Sequence, residues 1–362
     1  MKRNAALTAV LAILLAIVCL GACSRQESSL QPLESGKAIG AEEAVQGETR
    51  IEAGEEELVL SFAGDIMFDK SVAGYIKAKG GDYIFQGYEE YLRGSDIVFG
   101  NLETAISGKG EPALEKEYNF KSSQEILPYL KKYNFTALSI ANNHAMDFGR
   151  AAFVDGLKAL GANGISYGGG GMNKKEAVAG TIIEKKGMKI GFIAFSGVIP
   201  DVGWYAGEKR SGIIGAYKVH ETEVLEAVSD LASRCDLLVV SVHWGKEGTK
   251  EPGAREVELG HKLVDVGADV VMGHHPHIVQ GFEKYKDKLI MYSLGNFIFT
   301  TARTELPNKT ILATARFDMS GRIKAVEAVP GIIKYGRPFP MDPLQSREYL
   351  DYLNSLNLNI KL

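Results

Sequence analysis

Gly273-His274-His275-Pro276-His277 gathers three of the chain's seven histidines into one short run. Neutral imidazole is the commonest protein ligand for transition metals, so such a cluster can do metal chemistry. Taken alone, the run also reads as a histidine-rich surface turn. Four other places carry residues of ligand type: Asp65; Asn101 with Glu103; Asn143 with His144; and His243. Carboxylate, amide and imidazole together suit zinc, manganese or iron, and not calcium, which prefers all-oxygen shells. Two ions about 3.5–4 Å apart can clamp the attacking and leaving oxygens of a hydrolysed bond. Asp65 or Glu103 could bridge such a pair.

Singly, each residue has a plainer role. Asp65 after Gly64 could turn the chain, and Asn101 and Asn143 could cap the segments after them. His144 could be a satisfied core histidine, and His243 could stack beside Trp244. They are united by their position after one kind of segment. Residues 58–63, 96–99, 135–140, 237–242 and 269–272 are short apolar runs that read as buried strands. Strands of one open sheet present their carboxyl ends along one rim, so residues distant in sequence can meet there.

Helical patterns at 71–79, 88–93, 123–133, 150–160, 219–233 and 255–266 alternate with strands, which indicates an α/β protein. Pro128 is expected to delay or kink the third of these, with Ser122 or Ser123 as its cap. Residues 177–184 and 189–196 read as adjacent strands joined at Lys186-Gly187. Residues 289–293 read as a strand, 310–318 and 322–329 as a hairpin around Met319-Ser320-Gly321, and 348–356 as a last helix. Four glycines at 168–171 lack the spacing and the Lys-Ser/Thr of a phosphate-cradling loop, so they read as a turn. Residues 108–117 form a polar excursion.

The 362 residues suffice for one large domain or two ordinary ones, and 45% hydrophobic with 24% charged residues is the composition of a folded globular protein. A net charge of −4 and a pI near 6.0 argue against a basic nucleic-acid face. Lys2 and Arg3 precede an uncharged run over 5–20, the pattern of a secretory signal. Leu20-Gly21-Ala22-Cys23 then resembles a bacterial lipobox. The expectation is cleavage before Cys23 and lipidation there, giving an extracytoplasmic, membrane-anchored protein whose net charge moves from −4 to −6. Of the three cysteines, Cys19 is then removed and Cys23 lipidated. Cys235 is left as a buried structural thiol without a disulfide partner. The expected organisation is a signal at 1–22, a polar tether at 23–57, a folded domain at 58–335 and a tail with a short helix at 336–362.

The ordered set of motifs resembles one family. Gly64-Asp65-Ile66-Met67, Asn101-Leu102-Glu103, Ala141-Asn142-Asn143-His144, His243-Trp244-Gly245-Lys246-Glu247, the histidine run and Ser293-Leu294-Gly295-Asn296-Phe297 are similar to those of the CapA proteins. These are poly-γ-glutamate capsule-biosynthesis proteins, a branch of the calcineurin-like metallophosphoesterases. The resemblance covers about 58–335. It implies a two-sheet α/β/β/α sandwich flanked by helices and one or two divalent transition ions. It also implies an envelope role with an anionic polymer such as poly-γ-glutamate, alongside other capsule-synthesis membrane proteins.

Residue by residue, the resemblance implies that Asp65, Glu103, Asn143, His243, His275 and His277 are metal ligands, with Glu103 at the bridging position. His144 is implied to act at the transferred group, and His274 to point away from the metal. Asn101, Lys246, Glu247 and Asn296 are expected to face substrate, although Lys246, Glu247 and Arg255 read equally well as solvated surface residues. Met67 departs from the superfamily, which has a histidine there. A thioether is a poor ligand for a hard or borderline ion.

Overall fold

A computed structural model describes residues 56–114 and 116–362. Cys23, the expected signal and the expected tether up to residue 55 lie outside the described residues. The chain first lays down β1 (Glu57–Ile66), β2 (Ile97–Leu102), β3 (Phe135–Ser139) and β4 (Ser166–Gly168) as parallel neighbours. Helices α1 (Lys70–Lys79), α2 (Glu89–Arg93), α3 (Leu127–Lys132) and α4 (Gly149–Ala162) connect them. After α5 (Lys174–Ala179) a second sheet begins. It comprises β5 (Thr181–Lys185), β6 (Met188–Ser196), β7 (Leu237–His243), β8 (Val270–His274), β9 (Phe282–Tyr285) and β10 (Lys288–Met291). Helices α6 (Glu221–Ala232) and α7 (Ala254–Asp265) cross over its outer face. The chain then returns to the first sheet with β11 (Asn296–Ile298), β12 (Lys309–Asp318), β13 (Ile323–Lys334) and β14 (Arg337–Pro340), and ends in α8 (Pro343–Leu356).

The strand order is β14-β13-β12-β1-β2-β3-β4 in the first sheet, with β11 joining the end of β1, and β9-β10-β8-β7-β6-β5 in the second. Leu60, Phe62 and Phe99 from one sheet interdigitate with Ile190, Val239 and Met272 from the other in a single buried cluster. The outer faces are covered by α1–α4 on one side and α5–α7 on the other. This is the expected α/β/β/α sandwich. Central strands covered on both faces are apolar along their whole length, which is why β7 and β8 carry no polar alternation until their last residues.

Local departures have local causes. Residues 177–179, expected to open a strand, instead close the helix α5. Asn173 accepts from Glu176 N at 2.9 Å and its amide donates to the Glu176 carboxylate, so a cap outweighs the apolar pattern. Pro128 sits in the first turn of α3, where its missing N–H costs nothing, and a 3₁₀ turn over Gln124–Ile126 capped by Ser123 precedes it. Residues 336–362 add β14 to the sheet edge and press Tyr349 and Leu353 into the core. Cys235 is half-buried, its thiol donates to Leu231 O at 3.2 Å, and burial pushes its pKa up. Among the described residues no helix is long and apolar enough to cross a membrane.

Candidate metal centre

The carboxyl ends of β1, β2, β3, β7 and β8 converge on one rim. The register of β1 against β2 shifts between Phe62 and Asp65, an irregularity that turns the Asp65 carboxylate into the rim. Close backbone approach demands glycine beside it: a Cβ on Gly64 would stand 1.9 Å from Gly295 O. On β8, a Cβ on Gly273 would stand 2.0 Å from Tyr292 O. Parallel pairing of β7 and β8 sets His243 opposite His274. The chain then leaves the strand through His275 (φ 97°) and His277 (φ 56°). Both are left-handed conformations that cost an L-residue energy and cluster at functional sites.

Glu103, His275 and His277 offer ligand atoms that all lie within 4.8 Å of one another. Asp65 adjoins them, with Oδ2 3.1 Å from His277 Nδ1 and Oδ1 accepting from Asn101 Nδ2 at 2.9 Å. His243 Nε2 lies 2.9 Å from Asn143 Oδ1 and 3.7 Å from Glu103 Oε1. His144 presents Nε2 3.9 Å from the same oxygen. Sequence positions spread over two hundred residues thus meet in one cluster.

The charge balance of the cluster asks for a cation. Asp65 and Glu103 are both fully buried, and neither Glu103 oxygen has a hydrogen-bond partner among the described residues. Burial and the neighbouring Asp65 hold the Glu103 carboxyl well above its usual range. Burial opposes the ionisation of Asp65 too, but His274 and His277 outweigh it and hold Asp65 low. His277 is disfavoured as a cation by burial, yet the carboxylates of Glu103 and Asp65 push it up to about 10. A proton on His277 therefore supplies the positive charge that the buried Asp65 carboxylate requires, while burial favours the neutral form of Glu103. His275 is lowered to about 4 by burial and by His277, and its Nδ1 is buried without a hydrogen-bond partner. A neutral imidazole beside a partnerless carboxylate is the donor set that a divalent ion takes.

Several side chains stand elsewhere than the sequence suggested. Asn101 and Asn296 were expected to face substrate. Asn101 is wholly buried behind Asp65 and receives a bond from Asn142 Nδ2 at 3.0 Å. Asn296 Oδ1 accepts from His277 Nδ1 at 2.8 Å, so the two asparagines orient the side chains of Asp65 and His277. His274, expected to point away, is fully buried with Nδ1 3.2 Å from Asp65 Oδ1. Lys246 and Glu247 are exposed on the loop after Trp244. Met67 is buried, and its sulfur accepts from Asp69 N at 3.0 Å, so it is occupied within its own turn.

Three residues escaped sequence reasoning. Asp147 Oδ2 accepts from His144 Nδ1 at 2.6 Å and fixes the ring so that Nε2 faces Glu103. Lys116, from the polar excursion, bonds Asp147 Oδ1 and Asn143 O. Asn142 holds the loop by accepting from His144 N at 3.0 Å and donating to Leu102 O at 2.9 Å. The His-x-x-Asp spacing was a usable signal for Asp147, whereas nothing in the sequence around Lys116 pointed inward.

Residues 59–301 match the family described as bacterial capsule synthesis protein PGA_cap. The chain belongs to that family. Among its relatives are the capsule biosynthesis protein CapA of Bacillus anthracis, 31% identical over 79% of this chain and 70% of that one. The PGA biosynthesis protein CapA of Bacillus subtilis strain 168 is 33% identical over 76% and 74%. A probable polyglutamine synthesis accessory protein of Mycobacterium tuberculosis is 27% identical over 56% of each chain. Among solved structures, a hypothetical protein from Thermus thermophilus covers 76% of this chain and 100% of that one, at 16% identity and a TM-score of 0.49. A 5'-nucleotidase precursor from the same organism covers 83% and 59%, at 14% identity and a TM-score of 0.46. At this level of likeness these structures say nothing of what the PGA_cap chain acts on. Family membership makes it a CapA-like protein of capsule and poly-glutamate biosynthesis.

Proposed function

We propose that this PGA_cap protein is an extracytoplasmic, lipid-anchored hydrolase or transferase acting on poly-γ-glutamate or a related anionic envelope polymer. The observation that carries the catalytic reading is Glu103, a buried carboxylate without a hydrogen-bond partner, set against His275 and His277. The charged start, the uncharged run over 5–20 and Cys23 support the anchor.

Asp65, Glu103, Asn143, His243, His275 and His277 would hold one or two ions of manganese, iron or zinc. Such an ion supplies Lewis-acid polarisation of the substrate oxygen. The protein's own part is proton handling. His144 is lowered by burial, against the pull of Asp147, and so its Nε2 is a free base at neutral pH. Held by Asp147 through Nδ1–H, His144 takes a proton at Nε2 from the attacking group and returns it to the leaving group. Lys116 pairs with Asp147 and so ties its own stretch of chain to the site.

A second reading is favoured by Met67. With its sulfur turned to Asp69 N, one ligand position of the superfamily lacks its imidazole, which suits a non-catalytic subunit of polymer export or assembly. Metal analysis of the purified full chain separates the readings. Stoichiometric transition metal, reduced in both Glu103→Gln and His275→Ala, is expected. Absence of bound metal overturns the enzymatic reading. Faster release of phosphate from model esters than cleavage of γ-glutamyl polymer would instead mark an extracellular phosphoesterase.

A further inference from the structure

The carboxyl ends of β6 and β7 also bound a pocket of about 260 Å³ on the outer side of the second sheet. Gly197 follows β6, Trp244 follows His243, and Arg255 and Leu259 come from α7. Gly245 lines the pocket too, and a Cβ there would stand 3.6 Å from Cγ of Pro276, the residue between His275 and His277. One turn of chain thus separates the pocket from the metal rim. Its aromatic side is fixed. Trp244 is buried with Nε1 donating to Tyr292 O at 2.9 Å, and the Tyr217 hydroxyl accepts from Ile199 N at 2.8 Å. Its polar side is Arg255. Nη1 donates to Glu221 and lies 3.9 Å from Glu258, while Nη2 is buried without a hydrogen-bond partner. The acids around it are already engaged: Glu256 Oε2 accepts from Gly253 N at 2.6 Å, and Glu221 accepts from Lys262 and Lys218 as well. A guanidinium has only donors, and leaving a buried one unpaired is costly, so Arg255 calls for an acceptor that its neighbours do not supply.

We propose that this pocket is a carboxylate subsite, in which Arg255 holds one glutamyl carboxylate of the polymer while a neighbouring linkage lies at the metal rim. The proposal rests on the polymer reading above. A γ-linked repeat carries one carboxylate on a backbone with two methylenes. The planar guanidinium suits the carboxylate, since it can give two parallel hydrogen bonds where an ammonium acts as a point charge. Trp244 and Leu259 offer the methylenes an apolar wall. The Arg255 side chain is 32% exposed, so its pair with Glu221 is open enough to adjust when a ligand enters. Because Gly245 joins the pocket to Pro276, the subsite fixes which linkage of a uniform strand meets His275 and His277.

The test is fluorescence anisotropy of labelled poly-γ-glutamate with the full chain in detergent. Arg255→Gln is expected to weaken binding by about tenfold. Arg255→Lys, which keeps the charge and spares the fold if Gln does not, is expected to fall between it and the unaltered chain. Glu221→Gln frees Nη1 and is expected to tighten binding by about threefold, a sign that a purely structural role for Arg255 would not give. Lys185→Gln, opposite Met188 at the far end of β6, is expected to bind as the unaltered chain does. Normal binding by both Arg255 variants overturns the subsite, as does weaker binding by Glu221→Gln or an equal loss in Lys185→Gln; the polymer reading survives each of these. No binding by the unaltered chain overturns the polymer reading, and the subsite with it. Displacement of the polymer by inorganic phosphate but not by glutarate makes this a phosphate pocket and overturns the carboxylate assignment.

Discussion

The Nδ1 nitrogen of His144 stands 2.6 Å from Oδ2 of Asp147, three residues further along the same loop. The hydrogen bond leaves Nε2 as the nitrogen that meets the rim, as in other sites where a carboxylate fixes the imidazole tautomer. Asp147→Asn is expected to lower turnover of γ-glutamyl polymer by on the order of 10²-fold, with metal content unchanged. Steady-state kinetics beside metal analysis checks this. Parallel loss of metal would assign Asp147 to ligand binding instead.

Glu103 predicts a change of sign. In chelator, Glu103→Gln removes a buried carboxylate that lacks a hydrogen-bond partner, and is expected to stabilise the fold by about 1–3 kcal/mol. With saturating manganese or zinc the unaltered chain gains binding free energy that the variant lacks, so the order reverses. Thermal unfolding in both conditions tests it. A variant less stable in both would mean that Glu103 holds the fold without an ion.

His275 is held at φ 97°. Both His275→Gly and His275→Ala remove the imidazole, but only glycine adopts that conformation without cost. In chelator the Gly variant is expected to be more stable than the Ala variant by about 1 kcal/mol. Urea unfolding measures the difference, and an Ala variant of equal or greater stability would show that the backbone relaxes.

Acid stability has a separate source. Glu221 on α6 accepts from Lys262, with Lys218 and Arg255 beside it, and these bonds outweigh its burial and lower its pKa from the ordinary 4.5 to about 2. A depressed folded-state pKa stabilises above the unfolded value, and the gain is lost as pH falls from about 4.5 to about 2. Glu221→Gln is expected to cost about 1 kcal/mol at pH 7, modest because such pairs are partly screened. The difference should vanish by about pH 2. Denaturant titration across that window checks it, and a pH-independent cost would point to lost packing.

Much of this molecule is legible in its sequence because uniformly apolar strands announce both their burial and their ends. Asp65, Glu103, Asn143, His243, His275 and His277 each come after such a run, so their convergence stems from parallel pairing. The part that is not legible depends on the folded loops. Lys116 lies in a polar stretch, and its partner Asp147 is 31 residues further along the chain, beyond the reach of local pattern. β14 was missed because Pro338 and Pro340 argue against a strand, yet it is an edge strand, where a missing N–H is tolerated. Asn101 and Asn296 have the chemistry of substrate contacts, and only the fold shows them buried, with Asn101 bonded to Asp65 and Asn296 to His277.

The candidate ligands Asp65, Glu103 and Asn143 come from the ends of one sheet, and His243, His275 and His277 from the ends of the other. An ion bound by both groups is a rivet through the two halves of the sandwich. Its removal should let the layers breathe at that edge first. Amide exchange after chelation would then quicken around residues 101–103 and 273–277, while the far edge near Glu57 and Asp318 keeps its protection.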